Sequence, residues 1–304
     1  MQRERPFLTV FTSTYNRAHT LLRTYESLRR QTDKDFEWIL VDDGSTDNTE
    51  TLVKPWLGAD NGFPIRYIKK KNEGLHTGYN TAIANMDSTL AVCIDSDDYM
   101  PDDAVEKIHK CWLERGGEQY GGIAGLDYHT DGRLIADRFP DSLNAISLIA
   151  YGQGRYCLRQ GDIKIVMRTD LYKTVAPMRV YPGEKFFNPH YMALQISRDY
   201  NFLTLNECLC LVDYQPDGMS SNMLWQYKNS PNSFLEIRKM HFTFKGNPFR
   251  SDVRNGIHFV SSALIARRFM REFRASDRKR LLVLCFGPGV LLALITLSGH
   301  DRSA

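Results

Sequence analysis

The order of apolar and polar positions separates strands from helices along the first hundred residues. Phe7 to Phe11 reads as a buried strand and Thr12 to Arg17 as the loop after it. Leu21, Leu22, Tyr25 and Leu28 recur at helical spacing and predict a helix ending near Gln31. Phe36 to Val41 forms a second strand that ends in Asp42 and Asp43 and the turn residues Gly44 to Asp47. A helix follows, then a short strand over Ile65 to Ile68, the loop Asn72 to His76, and a helix from Thr77 to Met86. The fourth strand, Leu90 to Ile94, suits burial on both faces; it runs straight into Asp95, Ser96, Asp97 and Asp98 before Pro101 opens another helix.

Strand alternating with helix predicts right-handed crossovers and a mostly parallel sheet with helices on both faces, an α/β fold. Ligands of such sheets bind at the carboxyl ends of the strands. Thr12 to Asn16, Asp42 with Asp43, and Asp95 to Asp98 all fall at those ends. Three carboxylates crowded at a strand end repel one another unless a cation lies among them, and oxygen donors of this kind suit Mg²⁺ or Mn²⁺. The plainer alternative is a helix cap with Asp97 or Asp98 at the N-cap. No Gly-x-Gly-x-x-Gly follows the first strand and no Gly-x-x-x-x-Gly-Lys occurs, so phosphate charge is left to a metal and a few side chains. A nucleotide site with a divalent metal is the leading reading.

Beyond Pro101 the pattern predicts a helix over Asp102 to Trp112, a glycine-rich strand over Gly121 to Leu126, and a strand over Ile163 to Met167. A helix opens next with Thr169 as cap, and the loop Pro182 to Pro189 leads into Tyr191, Leu194 and Ile196 at helical spacing. Val212 to Ser220 carries turn residues throughout. From Asn222 the pattern is helical, up to an uncharged run of 17 residues from Leu281 to Leu297. That run is at the lower limit for crossing a bilayer, and Gly287-Pro288-Gly289 interrupts it. Two short apolar pieces lying in a membrane interface fit better, with a buried hairpin or a dimer contact as the alternative.

Composition adds a compartment and a charge asymmetry. Hydrophobic residues at 42% and charged ones at 25% describe a globular chain of 304 residues. Between Arg267 and Arg280 seven basic residues face only Glu272 and Asp277, a segment of +5 in a chain of +3, so the remainder carries −2. Charge next to an apolar run points to an anionic membrane surface rather than to nucleic acid. The six cysteines show no Cys-x-x-Cys pair and read as free thiols of a reducing compartment; Met1 to Pro6 opens no signal peptide, so the expected location is cytoplasmic, on the inner face of the membrane.

Thr9 to Arg17, Trp38 to Asp47 and Asp95 to Asp98, three motifs in order over the first 105 residues, closely resemble the family-2 glycosyltransferases of the GT-A fold, of the bacterial capsule and exopolysaccharide type. The resemblance implies that Thr12, Tyr15 and Asp43 hold the uracil and ribose of a UDP-sugar, that Asp95 contacts ribose or sugar, and that Asp97 binds the metal bridging the diphosphate. It assigns His76 and Asn80 to a second donor segment, where Leu75 stands in place of the family's usual Lys or Arg. It implies an inverting transfer to an acceptor hydroxyl, on a glycan or a lipid-linked glycan, with Glu184 as the base and Asp162 and Asp199 as rivals. It gives the Tyr214 to Ser220 stretch a place beside the donor diphosphate. The expected organisation is a nucleotide-sugar half over 1–105, an acceptor half of the same GT-A domain over 106–220, and a helical C-terminal extension over 221–304 that meets the membrane through 267–297; self-association is left open. The alternatives are a silent sugar-nucleotide binding protein and a sugar nucleotidyltransferase.

Overall fold

The computed structural model describes residues 5–215 and 223–298. Pro216 to Ser220, most of the stretch expected beside the diphosphate, lie outside the described residues. The chain divides into two compact units, one of Met1–Met178 with Met192–Tyr214, the other of Arg179–Tyr191 with Gln215–Ala304.

The first unit is built on β1 (Leu8–Thr14), β2 (Phe36–Asp42), β3 (Ile65–Lys69), β4 (Leu90–Cys93), β5 (Tyr120–His129), β6 (Ala145–Ile146), β7 (Ile163–Arg168) and β8 (Asn201–Val212). They form one sheet in the order β3-β2-β1-β4-β7-β5-β8-β6. Pairing is parallel from β3 through β4 and between β5 and β8, while β7 is antiparallel to β4 and β5, and β6 to β8. Six strands therefore run one way, as the alternation of elements predicts. β6 and the short helix α5 (Leu148–Gly152) carry too little periodicity to be read from sequence.

The central strands are apolar on both sides because helices cover both faces. α1 (Ala18–Arg29), α2 (Thr49–Leu57), α3 (Leu75–Asn85) and α4 (Ala104–Arg115) are the crossovers, with α6 (Thr169–Val175) after β7 and α7 (His190–Ile196) before β8. Trp38 is fully buried, and Tyr25 and Trp56 stack at 4.1 Å beside it. The boundaries at α6 and α3 are among those that differ from expectation. Thr169 is the first residue of α6 rather than its cap, with its hydroxyl 3.1 Å from that of Ser88. α3 starts at Leu75, after Gly74 at φ 104°, so His76 belongs to a helix and not to a loop.

The second unit is helical: α8 (Met223–Asn229), α9 (Pro231–Phe242), α10 (Phe249–Ile265), α11 (Phe269–Ala275), α12 (Lys279–Leu284) and α13 (Phe286–Ser298). The uncharged run breaks at Cys285, and Gly287-Pro288-Gly289 sits inside the first turn of α13, where a proline lacks no intrahelical bond. No helix among the described residues is long and apolar enough to cross a membrane.

The glycine-rich β5 shows what its glycines permit. Gly122 takes φ 148°, and a Cβ there would collide with the carbonyl of Val166 on β7. Gly122→Ala should lower stability by about 2–5 kcal/mol, positive-φ strain added to overpacking, read by urea unfolding.

Candidate active site at the carboxyl edge of the sheet

Six strands running one way end at one edge, and the antiparallel β7 begins there. Ala91 pairs with Met167 and Val92 with Val166, so the chain leaving β4 emerges beside the Lys164 end of β7. Leu126 pairs with Ile163, which brings Asp127 to the same place.

The loops after β1 and β2 are tied together. Asn16, at φ 53°, accepts from the Thr46 backbone N–H at 2.8 Å through its side chain and donates its own N–H to Ser45 Oγ at 2.9 Å. Tyr15 stands out into solvent, 46% exposed. Asp43 is buried and accepts from Lys70 Nζ at 2.8 Å and from the backbone N–H groups of Glu73 and Gly74 at 3.1 and 2.7 Å. Its carboxylate thus organises the turn before α3. Lys70 also donates to Thr77 and pairs with Glu73.

The acidic run after β4 resolves into two kinds of carboxylate. Asp95 is exposed and Asp97 half-buried, whereas Asp98 is 5% exposed and turned inward. The capping alternative fails: α4 begins only at Ala104, with Asp103 at the cap position. Asp98 accepts from the Asp213 N–H at 3.0 Å, and Arg23 bonds both the Asp97 carbonyl and Asp213 Oδ2, the latter at 2.7 Å, with its guanidinium over the Tyr99 ring. Burial, and then the charge of Asp95, push the Asp97 carboxyl upward; burial pushes Asp98 to about 7 against the pull of Lys164. A cation beside Asp95 and Asp97 would relieve that repulsion. Among the described residues no group of three or more His, Cys, Asp and Glu converges as a metal cage. Two carboxylates at a solvent-facing edge suit a hard ion that keeps waters and takes phosphate oxygens, so the donor set fits Mg²⁺ or Mn²⁺.

Lys164, Asp127 and Asp162 join this edge without having been picked out together from sequence, although a lone lysine in an apolar strand is a usable signal. Lys164 Nζ lies 3.7 Å from Asp127 Oδ1, and both side chains are nearly buried. Burial pulls the ammonium down, but Asp127, Cys210, Asp98 and Asp95 outweigh it and hold it charged. Asp162, exposed at the start of β7, accepts from Tyr214 Oη at 2.7 Å.

Other expected site residues do structural work. Thr12 is fully buried, donating to the Ile94 carbonyl at 2.8 Å and accepting from Trp38 Nε1 at 3.0 Å, which pins β1 to its neighbours. Its hydroxyl does not face solvent. Asn80 clamps the Met178 backbone, donating at 2.9 Å and accepting at 2.8 Å. His76 is fully buried in α3. Glu184, in the second unit, is 6% exposed, and its two oxygens accept from the backbone N–H and side chains of Asn232 and Ser233 at 2.6 to 2.9 Å. It closes the N-terminus of α9, whose dipole favours an anion there.

Sheet order, helical layers and paired acids at one edge define an α/β fold of GT-A type, and solved structures agree over nearly the whole chain. S. aureus TarS (residues 1–349), in a complex with UDP-GlcNAc, matches with a TM-score of 0.55 and 16% identity over 97% of this chain and 93% of that one. The mannosyltransferase PcManGT from Pyrobaculum calidifontis, in complex with GDP-Man and Mn²⁺, matches with a TM-score of 0.59 and 15% identity over 99% and 89%. Residues 9–120 match the family model described as glycosyl transferase family 2. Among curated relatives, the putative teichuronic acid biosynthesis glycosyltransferase TuaG of Bacillus subtilis is 29% identical over 78% of this chain and 91% of its own length. Chondroitin synthase of Pasteurella multocida is 31% identical over 44% of this chain, which spans only 14% of that protein; the pneumococcal glycosyltransferase GlyA is likewise matched over only 15% of its length. Over residues 9–120 the chain is similar to the family-2 glycosyltransferases.

Asp127 provides a test of the edge electrostatics. Burial raises it to about 6, against Lys164, so between the ordinary carboxylate value and that point the folded chain holds a proton that the unfolded chain has released. Its contribution is present at low pH and lost as pH rises through about 6. Urea unfolding at about pH 4.5 and 6.5 should show wild type losing more stability over this interval than Asp127→Asn.

Proposed function

We propose that this chain transfers a sugar from a UDP-sugar to an acceptor hydroxyl with inversion, assisted by a divalent metal, in the synthesis of a cell-surface polysaccharide. The observation that carries the reading is the outward-facing pair Asp95 and Asp97 at the end of β4, within the segment that matches the family. The names of TuaG and of the UDP-GlcNAc complex of TarS support the pathway and the donor.

In this reading the exposed ring of Tyr15 stacks on uracil, and Asp43 acts through the turn it organises, with Lys70 at its side. Asp97, with Asp95 next to it, holds Mg²⁺ or Mn²⁺, which when bound neutralises the departing diphosphate. Asp95 is also placed to meet the ribose or the sugar. Inversion needs a carboxylate that takes the acceptor proton on the face opposite the leaving group. Glu184 is committed to α9, so we place this role on Asp162, exposed at the same edge as Asp95. Titration of UDP with and without Mn²⁺ tests the donor site, with GDP as the control that the mannosyltransferase neighbour suggests. Metal-dependent UDP binding is expected, lost in Asp97→Ala; Asp162→Asn should bind UDP normally and turn over at least about 100-fold more slowly. Failure of UDP to bind in either condition would remove the reading.

The same proposal places the enzyme on the inner membrane face, where a lipid-linked acceptor is found. α13 turns Gly289, Ala293 and Thr296 inward and Leu291, Leu294, Ile295 and Leu297 outward, and Val283, Leu284 and Phe286 are exposed beside them. Arg267, Arg271, Arg274, Lys279 and Arg280 are exposed on the adjoining segment. Large apolar side chains in water next to basic ones suit an anionic bilayer surface. Flotation should find the protein on phosphatidylglycerol vesicles and not on phosphatidylcholine vesicles, and Leu291→Glu with Leu294→Glu should release it. Equal recovery of this double variant would count against the membrane face.

A further inference from the structure

The carboxylates of the helical unit are distributed unevenly. Glu184 caps α9, Glu236 pairs with Arg179 and Lys239, Asp252 with Arg278, and Glu272 with Arg268 and Lys239. The opposite situation holds where α8, α9 and α10 meet. Arg238 and His241 on α9 lie close to Arg254 and His258 on α10, with His190 also near His241, and among the described residues no carboxylate forms an ion pair with any of these four. Arg238 is half-buried beside the Tyr227 hydroxyl; it donates to Asn255 Oδ1 at 3.0 Å, and its Nε has no hydrogen-bond partner among the described residues. The Tyr227 ring packs on that of His258, with centroids 5.2 Å apart. A cavity of about 380 Å³ along α10 adjoins the cluster at Arg254 and His258 and is otherwise lined by Phe249, Arg250, Val253 and Ile257.

A guanidinium with a buried donor left over, beside a second arginine and with no carboxylate paired to it among the described residues, is unfavourable unless an anion completes it. We propose that Arg238 and Arg254, with His241, His258 and Tyr227, form a binding site for a phosphate-bearing ligand, whose apolar part, where it has one, lies along Phe249, Val253 and Ile257. Arginine's planar fork matches phosphate oxygens in pairs, and the tyrosine hydroxyl and imidazole N–H groups supply the remaining donors. Burial and the two arginines, with His190 as well at His241, pull His241 and His258 down to about 4, so both rings are neutral near pH 7 and an anion between them would oppose the arginines' influence. The site is made by residues of the second unit and Asp95 and Asp97 belong to the first, so the UDP titration above can fail or succeed without deciding it.

The two imidazoles are the reporters. Proton NMR of the ring resonances, assigned with His241→Gln and His258→Gln, is followed while inorganic phosphate, glycerol 3-phosphate or dihexanoyl phosphatidylglycerol is added at constant ionic strength to the full chain. Saturable shifts of both rings are expected, absent with chloride, and Arg254→Glu, at an exposed position, should weaken the binding at least about tenfold. Arg238→Gln, if folded by circular dichroism, should do the same. Equal affinity for glycerol 3-phosphate and the short-chain lipid would identify a soluble or acceptor phosphate; at least about tenfold preference for the lipid would identify a headgroup with its chain in the cavity. No saturable shift with any probe, or shifts unchanged in Arg254→Glu, would overturn the site.

Discussion

The sheet's common direction imposes an electrostatic constraint on everything around it. Strands that run the same way must end at the same edge, and in this chain β2, β4, β5 and β8 end in or beside aspartates. The structure resolves the repulsion acid by acid. Lys70 and two backbone N–H groups hold Asp43, Arg23 holds Asp213, Lys164 holds Asp127, and Asp98 is folded inward. Asp95 and Asp97 remain toward solvent, with Asp97 partly offset by the charge of Arg17. The catalytic proposal rests on that division of labour, because a divalent cation there would offset the repulsion that Asp95 exerts on Asp97.

Much of this was legible in the sequence. Strands buried on both faces read as continuous apolar runs, so β1, β2 and β4 and the acids at their ends could be placed before any coordinates. Helix types were also clear, though boundaries moved by a few residues at α3, α4 and α6. What sequence could not show was which polar residue faces solvent. Thr12, Asn80 and Glu184 have partners 82, 98 and about 48 positions away, and only the fold brings these together. β6, two residues long in a polar stretch, offers no periodicity at all.

The helical unit follows different rules. Its acids are spent on helix ends and on arginines, so positive charge accumulates where they are missing, at Arg238 and Arg254 and along the exposed segment 267–280. A sequence count of +5 located the second of these and missed the first, because Arg238 and Arg254 lie on separate helices and form a cluster only when α9 and α10 pack side by side.

α13 has its apolar order reversed relative to a helix in an ordinary soluble domain. Gly289 packs against Val260, and a side chain at that position would collide with it, while Leu291, Leu294 and Leu297 touch little of the protein. Selection therefore acts on the two faces by different rules. At 289 it is steric and unforgiving, and at 293 and 296 it is set by close packing; at 291, 294 and 297 it would be only a requirement for greasiness if this face meets a bilayer, which many residues satisfy. Across divergent descendants of this chain the small residues of this helix, rather than its leucines, would be the ones that persist.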